Sequence, residues 1–329
     1  MRALLIGAGS LGRAVLRHLR DHELPVQLVG VLTAHHGRCL DGNGLDPTET
    51  LLRVETDDLD RGGLEDFEGA LDAGQPEVIL ECIPQNIRSG EPALSMLRTA
   101  LDQGIHAVTA NKAPVALAYA DLRARAEASG VQLRFEATVL DGMPLFMWVR
   151  STPGFEPVRV RGILNVTSSN VLEAVQLGGT RARGLARAQA RGVAEADSVL
   201  DLDGWDAAAK AALLANVWMG GSLRAVDVVR SGCDEVKDGR LREAAEAGEY
   251  YRLVATIEQG ESGVLASVKP EALALGDPLY GLPGTRGGIV VEARDGRSFC
   301  LRQGRSGLED AAAGMWMDVA AIQEGLPRI

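Results

Sequence analysis

Arg2-Ala3-Leu4-Leu5-Ile6-Gly7-Ala8-Gly9-Ser10-Leu11-Gly12-Arg13-Ala14-Val15-Leu16 stands at the start of the chain. Residues 3–6 are apolar without alternation, as in a strand buried on both faces of a parallel sheet. The stretch predicts a strand over residues 2–7, a glycine turn, and a helix from Ser10 to about Leu19. A second apolar run, Val26 to Leu32, follows and completes a β-α-β opening. Gly7, Gly9 and Gly12 are spaced G-x-G-x-x-G inside that opening. There the glycines permit a tight turn and a close approach to a pyrophosphate, and the helix start offers free N–H groups to the anion. A plain glycine turn is the bland alternative, and the strand-turn-helix context argues against it. Ser10 and Leu11 belong to the same expected phosphate loop.

Further strands are predicted at 78–81, 106–109 and 132–136, with helices near 90–103 and 116–128. The alternation extends a doubly wound sheet. After residue 136 the pattern changes. A strand at 158–164 leads to a helix at 171–177 and Ala-rich helices at 182–191 and 206–217. Strands at 252–257, 263–268 and 288–293 belong to a different, mixed or antiparallel sheet, and a helix at 308–322 comes last. The fold class is therefore α/β, a Rossmann-type doubly wound parallel sheet followed by an α+β catalytic and dimerisation domain. The expected divisions are a dinucleotide-binding domain at 1–136, the second domain at 137–305, and a helix at 306–329 returning to the first.

The formal charge of −11 argues against a nucleic-acid partner, whose phosphates attract basic surfaces. No apolar run approaches membrane-spanning length, and residues 3–6 run straight into glycine without a basic leader, so a cytoplasmic location is expected. Cys39, Cys82, Cys233 and Cys300 lie far apart, and the pair His35-His36 has no cysteine or carboxylate companions, so no transition-metal site is expected.

At the end of the second strand, an acidic residue would bond the ribose of NAD. Thr33 holds that position, with His35, His36 and Arg38 beyond it. Either these residues form a solvated loop or they contact a 2′-phosphate, so NADP is expected to be accepted alongside NAD. Asn86 follows the 78–81 strand, as a turn former or as a cofactor contact. Lys112 is expected in the loop after the 106–109 strand, where ligands of such sheets bind. Asp206 and Lys210 stand four apart on one predicted helical face. An i,i+4 pair alone is ordinarily a surface pair of small value. Here Glu195, Asp197, Asp201 and Asp203 crowd the approach, and Ala207, Ala208 and Ala211 make the helix partly buried.

Five blocks in this order resemble homoserine dehydrogenases. They are Gly90-Glu91-Pro92-Ala93-Leu94, Thr109-Ala110-Asn111-Lys112, Phe135-Glu136-Ala137-Thr138-Val139, Gly162-Ile163-Leu164-Asn165-Val166-Thr167, and Glu195 through Lys210. The resemblance covers most of the chain up to about residue 215. It implies hydride transfer between a nicotinamide and L-homoserine or L-aspartate 4-semialdehyde. Lys112 and Lys210 would serve as acid/base and oxygen-polarising groups, and Asp206 would hold Lys210 and help bind the substrate ammonium. Glu195, Asp201 and Thr167 would be substrate-side residues, and Gly307, in the turn at 304–310, would border the cofactor. The loop at 136–143 resembles one that holds sodium or potassium, through Glu136 and the carbonyls of Val139, Asp141 and Met143; a structural turn is the alternative. A homodimer is expected from the family and from the open edges of a mixed sheet.

The chain departs from the family pattern at Val166, where glycine is usual, at Val193, where tyrosine is usual, and at Ser198, where proline is usual. Arg305 and Glu309 add bulk and charge near the cofactor turn. A paralogue acting on another amino-alcohol and a non-catalytic NAD(P)-binding relative are the alternative readings. The two lysines and their acids argue against the second. With the sequence ending at Ile329, an additional regulatory domain is not expected.

Overall fold

The structure is a computed structural model that describes residues 1–22, 24–191, 194 and 198–327. It divides into two compact units, Met1–Ser151 with the C-terminal stretch from Leu308, and Thr152–Gly307.

In the first unit, β1 (Arg2–Ile6), α1 (Ser10–Asp21) and β2 (Gln27–Leu32) form the predicted opening. Next come β3 (Arg38–Leu40), α2 (Pro47–Glu55), α3 (Phe67–Gly74) and β4 (Val78–Glu81). The unit continues with α4 (Ala93–Asp102), β5 (His106–Thr109), α5 (Lys112–Ala128), β6 (Leu133–Arg134) and α6 (Leu145–Arg150). The sheet order is β3-β2-β1-β4-β5-β6, parallel throughout except that β3 folds back antiparallel on β2. The sequence predicts no element between residues 33 and 77; β3, α2 and α3 lie there. Central β1 has Ala3, Leu4, Leu5 and Ile6 fully buried, as a strand covered on both faces requires.

In the second unit, β7 (Pro157–Ile163), α7 (Val166–Gln176), α8 (Arg181–Ala190), α9 (Val199–Leu202) and α10 (Trp205–Met219) come first. After them lie β8 (Val229–Arg230), α11 (Asp238–Glu246), β9 (Tyr250–Gly260), β10 (Gly263–Leu273), β11 (Gly288–Ala293) and β12 (Ser298–Arg302). The sheet order is β12-β11-β7-β9-β10-β8, antiparallel except for the β8–β10 pair. Helices α7 and α10 pack on β9, and α10 also on β10 and β7. Ile163, Val254, Leu273, Leu279, Leu282 and Val290 form a separate apolar cluster with the segment after β10.

The last helix, α12 (Leu308–Gln323), belongs to the first unit. Its Ala312, Met315, Trp316, Val319 and Ile322 recur at helical spacing and join Ala14, Val15, Leu16 and Leu19 of α1 in one core. The Trp316 indole N–H donates to the Val15 carbonyl at 3.1 Å. Arg134, fully buried, donates to the carbonyls of Leu326 and Pro327, and Asp318 accepts the Glu136 backbone N–H at 2.8 Å.

The unit boundary lies at Ser151 rather than at residue 136. The Glu136 carboxylate explains where 137–151 goes. It accepts the N–H groups of Phe146 at 3.1 Å and Met147 at 2.5 Å, tying the start of α6 to the parallel sheet.

Candidate active site

The turn between β1 and α1 is closed by glycine. Gly7 has φ +97°, and a Cβ there would lie 2.9 Å from the Cys82 backbone. A Cβ on Gly12 would lie 2.0 Å from the Gly7 carbonyl oxygen, so only hydrogen fits. Gly9, the N-cap of α1, is different: nothing lies within 4 Å of its missing Cβ. The outer side of the turn is therefore an open cradle facing the helix start, where Ser10, Leu11 and Gly12 begin α1. No acidic side chain occupies the first turn of α1 to compete with a pyrophosphate.

Beyond β2, the expected cofactor contacts are engaged with protein. The Thr33 hydroxyl donates to the Gly37 carbonyl at 2.8 Å and accepts the His36 N–H at 2.9 Å. Arg38 pairs with Asp66 at 3.2 Å, and His36 with Asp57 at 2.8 Å. The Asn86 side-chain oxygen accepts the N–H groups of Arg88 and Ser89, which is the turn-forming alternative. Gly307 is half-buried, with nothing within 4 Å of its missing Cβ.

Lys112 is the first residue of α5 rather than a loop residue. Asn111 caps that helix, its side-chain oxygen accepting the Ala113 N–H at 3.2 Å, and Pro114 is tolerated in the first turn. The Lys112 ammonium donates to the exposed Gln85 side-chain oxygen at 3.1 Å. Beneath it runs a buried polar chain. The Glu81 carboxylate, at the end of β4, accepts the Ile83 N–H at 2.9 Å and the Thr109 hydroxyl. Thr109 oxygen in turn accepts the Asn111 N–H at 2.9 Å, which forces its own proton toward Glu81. Burial pushes Glu81 up to about 7, partly offset by Thr109, the Ile83 N–H and the Asn111 side chain. Ile83 N–H, Thr109 and Glu81 thus define the Lys112 turn from below.

The second cluster lies in the other unit. Helix α10 carries Asp206 and Lys210, whose charged ends are 3.1 Å apart and only 13% and 15% exposed. The Lys210 ammonium also donates to the Leu164 carbonyl at 2.7 Å. Six alanines with Leu213 and Leu214 bury the rest of the helix, and the pair emerges beside Leu164 and Asn165, between β7 and α7. Asn165 caps α7: its side-chain oxygen accepts the Ser168 N–H at 2.8 Å. Its amide nitrogen donates to Asp201 at 2.8 Å and to Asp206 at 3.0 Å. Burial first, and Asp206 second, raise the Asp201 carboxyl; Asn165, Lys210 and Thr167 oppose them. Thus Thr167, Asp201, Asp206 and Lys210 come together as expected, and Asn165 joins them although the sequence reading assigned it no role. Its signal was a polar residue at the junction of an apolar strand and a helix. That helix begins at Val166 rather than near residue 171, with half-exposed Val166 first. Glu195, Asp197 and Val193 lie outside the described residues.

The 136–143 loop is satisfied by protein. Both Glu136 carboxylate oxygens accept backbone N–H groups, and burial with the neighbouring Asp318 pushes the group up to about 8. A Cβ on Gly314 would meet the Asp141 carbonyl at 2.9 Å, so that oxygen faces α12; Met143 N–H bonds back to Leu140. Among the described residues no group of three or more His, Cys, Asp or Glu could hold a metal. Of the expected cation ligands, Glu136 thus engages two backbone N–H groups, and the Met143 carbonyl accepts that of Leu145 at 2.8 Å.

A parallel sheet with a glycine phosphate cradle in one unit, and a buried lysine–carboxylate cluster in the other, define a pyridine-nucleotide-dependent oxidoreductase. The family model for homoserine dehydrogenase matches residues 146–320, and that for the homoserine dehydrogenase NAD binding domain matches residues 7–136. The homoserine dehydrogenase of Sulfurisphaera tokodaii is 31% identical, over 98% of this chain and 99% of that protein. The NAD(+)-dependent homoserine dehydrogenase of Pseudomonas canavaninivorans is 28% identical, over 98% of this chain and 96% of that protein. The crystal structure of homoserine dehydrogenase from Thermoplasma acidophilum superposes with a TM-score of 0.84 at 25% identity, covering 98% of this chain and 99% of that one. The chain belongs to the homoserine dehydrogenase family.

Proposed function

We propose that this chain interconverts L-homoserine and L-aspartate 4-semialdehyde with NAD or NADP. The observation that carries this reading is the cluster of Lys210, Asp206, Asn165 and Asp201 at the positions that resemble the family's catalytic block. A bound nicotinamide would supply or accept the hydride at the carbon bearing the oxygen. The residues around it do the rest. Gly7, Gly9, Ser10, Leu11 and Gly12 would hold the pyrophosphate on the backbone N–H groups of α1, in the open cradle beside Gly9. Asp201 and Asp206, with Glu195, bind the ammonium of the amino acid, and Thr167 supports Asp201. Lys210 and Lys112 serve the substrate oxygen: during oxidation of the alcohol its proton leaves to a lysine in its neutral amine form, and in reduction the ammonium stabilises the negative charge that arrives there and returns the proton.

Arg38 already pairs with Asp66, so a 2′-phosphate would compete with a carboxylate for it. Asn86, whose side-chain oxygen serves its turn, and Gly307 would border the cofactor. Val166, half-exposed at the start of α7, favours one second reading, a paralogue for another amino-alcohol. Four free cysteines suit a reducing cytoplasm, and among the described residues no helix is long and apolar enough to cross a membrane. Exposed Val226, Val229 and Leu265 near the β8 edge support a homodimer, which sedimentation equilibrium reads directly.

The test is NAD(P)H formation from L-homoserine at alkaline pH, with each cofactor in turn. Turnover supports the reading. Cofactor binding without homoserine turnover sinks it, and turnover of a different amino-alcohol moves the chain to the paralogue reading.

A further inference from the structure

We propose that Asn165 is the positioning residue of the carboxylate pair: its amide donates one hydrogen to Asp201 and the other to Asp206, holding both acids apart and in place for the ammonium of the substrate. The proposal rests on the reading that this cluster binds an amino acid.

Asn165 is 5% exposed, and its side-chain bonding capacity divides by role. The oxygen caps α7 through the Ser168 N–H, and the nitrogen serves the two acids. The acids come from different elements, Asp201 from α9 and Asp206 from α10, joined by the turn at Gly204, and Asn165 reaches both from the start of α7. Two carboxylates in one half-buried site repel, and each disfavours ionisation of the other. An amide offers two donors at a fixed angle and no charge of its own, so it can bridge them without itself capturing either. Lys210 pairs with Asp206 and donates to the Leu164 carbonyl, adding its charge to what the amide does by geometry. Among the described residues, the groups that act on Asp201 are Asp206 and Lys210 from α10 and Asn165 and Thr167 at the start of α7; burial and Asp206 raise its carboxyl, while the other three lower it. Removing the amide leaves the acids to share a proton, and a protonated acid is a poor receiver for an ammonium.

The two roles separate by substitution. Serine is as good a helix N-cap as asparagine, so Asn165→Ser keeps the cap and removes the bridge. In the intact enzyme this variant is expected to melt within a few degrees of the parent. Its homoserine KM should rise about tenfold or more, the scale of a lost hydrogen bond to a charged group, while the cofactor KM stays unchanged. The acid limb of its kcat/KM profile should move to higher pH. Asn165→Asp also keeps the cap but adds a third carboxylate, and its loss should be larger at neutral pH. An Asn165→Ser enzyme with the parent's homoserine KM and acid limb overturns the proposal. If the parent itself does not turn over homoserine, the functional reading fails instead. Carboxyl NMR titration of Asp201 and Asp206 then decides: lower pKa values in the parent than in Asn165→Ser uphold the bridge, and equal values overturn it.

Discussion

Lys112 opens α5 and Lys210 stands in the second turn of α10, and the two helices hold them in contrasting ways. Lys210 is gripped: a carboxylate and a carbonyl lie within 3.1 Å of its ammonium, and it is mostly buried. Lys112 rests on an exposed glutamine, and the order around it lies one layer down, in Glu81, Thr109 and Asn111. One lysine is fixed by what it touches. The other springs from a turn that is itself ordered from below.

The contrast is broken or upheld first by alanine. Lys210→Ala removes the lysine proposed to serve the substrate oxygen and takes the Lys210 charge away from mostly buried Asp206. It should lower kcat by about 10²–10⁴-fold and lower stability by about 2–3 kcal/mol, less than for a fully buried pair. Lys112→Ala should cost comparable activity but no more than about 0.5 kcal/mol of stability, as at an ordinary surface position. Urea unfolding beside steady-state kinetics reads both, and equal stability losses would erase the distinction.

A second prediction sharpens the lower layer. Glu81 titrates near 7 in the folded chain against about 4.5 unfolded. Below 4.5 both states carry the proton. Between 4.5 and 7 the folded state binds more protons than the unfolded one, so stability falls as pH rises through this window and then levels. The contribution at pH 8 is a loss of about 3 kcal/mol. Glu81→Gln should flatten that part of the stability–pH curve, measured by denaturant unfolding from pH 4 to 8; an unchanged slope would show that Glu81 does not carry it. The smallest effect is expected at Gln85. Gln85→Ala removes one exposed hydrogen bond and should change kcat about two- to threefold with stability unaltered. A loss as large as that of Lys112→Ala would mean that Lys112 is gripped after all.

Much of this was legible from residues 1–32 and the later blocks, because a buried apolar strand, a glycine turn and a helix are local signals. Asp206 and Lys210 could be read together because helical periodicity joins them. The missed parts depend on partners far along the chain. β3 exists because it pairs antiparallel with β2, and the acidic, glycine-rich stretch around Asp57–Gly63 hides the helices on either side of it. Lys112 reads as a loop residue in the sequence because the cap at Asn111 rests on its side-chain oxygen accepting the Ala113 N–H. Asn165 meets Asp201 and Asp206 across 36 and 41 residues, a distance at which sequence spacing says nothing.

Helix α12 also constrains how the protein can be made. The first unit begins the chain but lacks part of its core until the last helix arrives, for Trp316, Met315 and Val319 pack on α1. A ribosome emits all of the second unit before that helix, so the nucleotide-binding sheet waits, with the α12-facing side of α1 uncovered, while Thr152–Gly307 is synthesised and folds. The opening strands therefore reach their final packing only once α12 has been made.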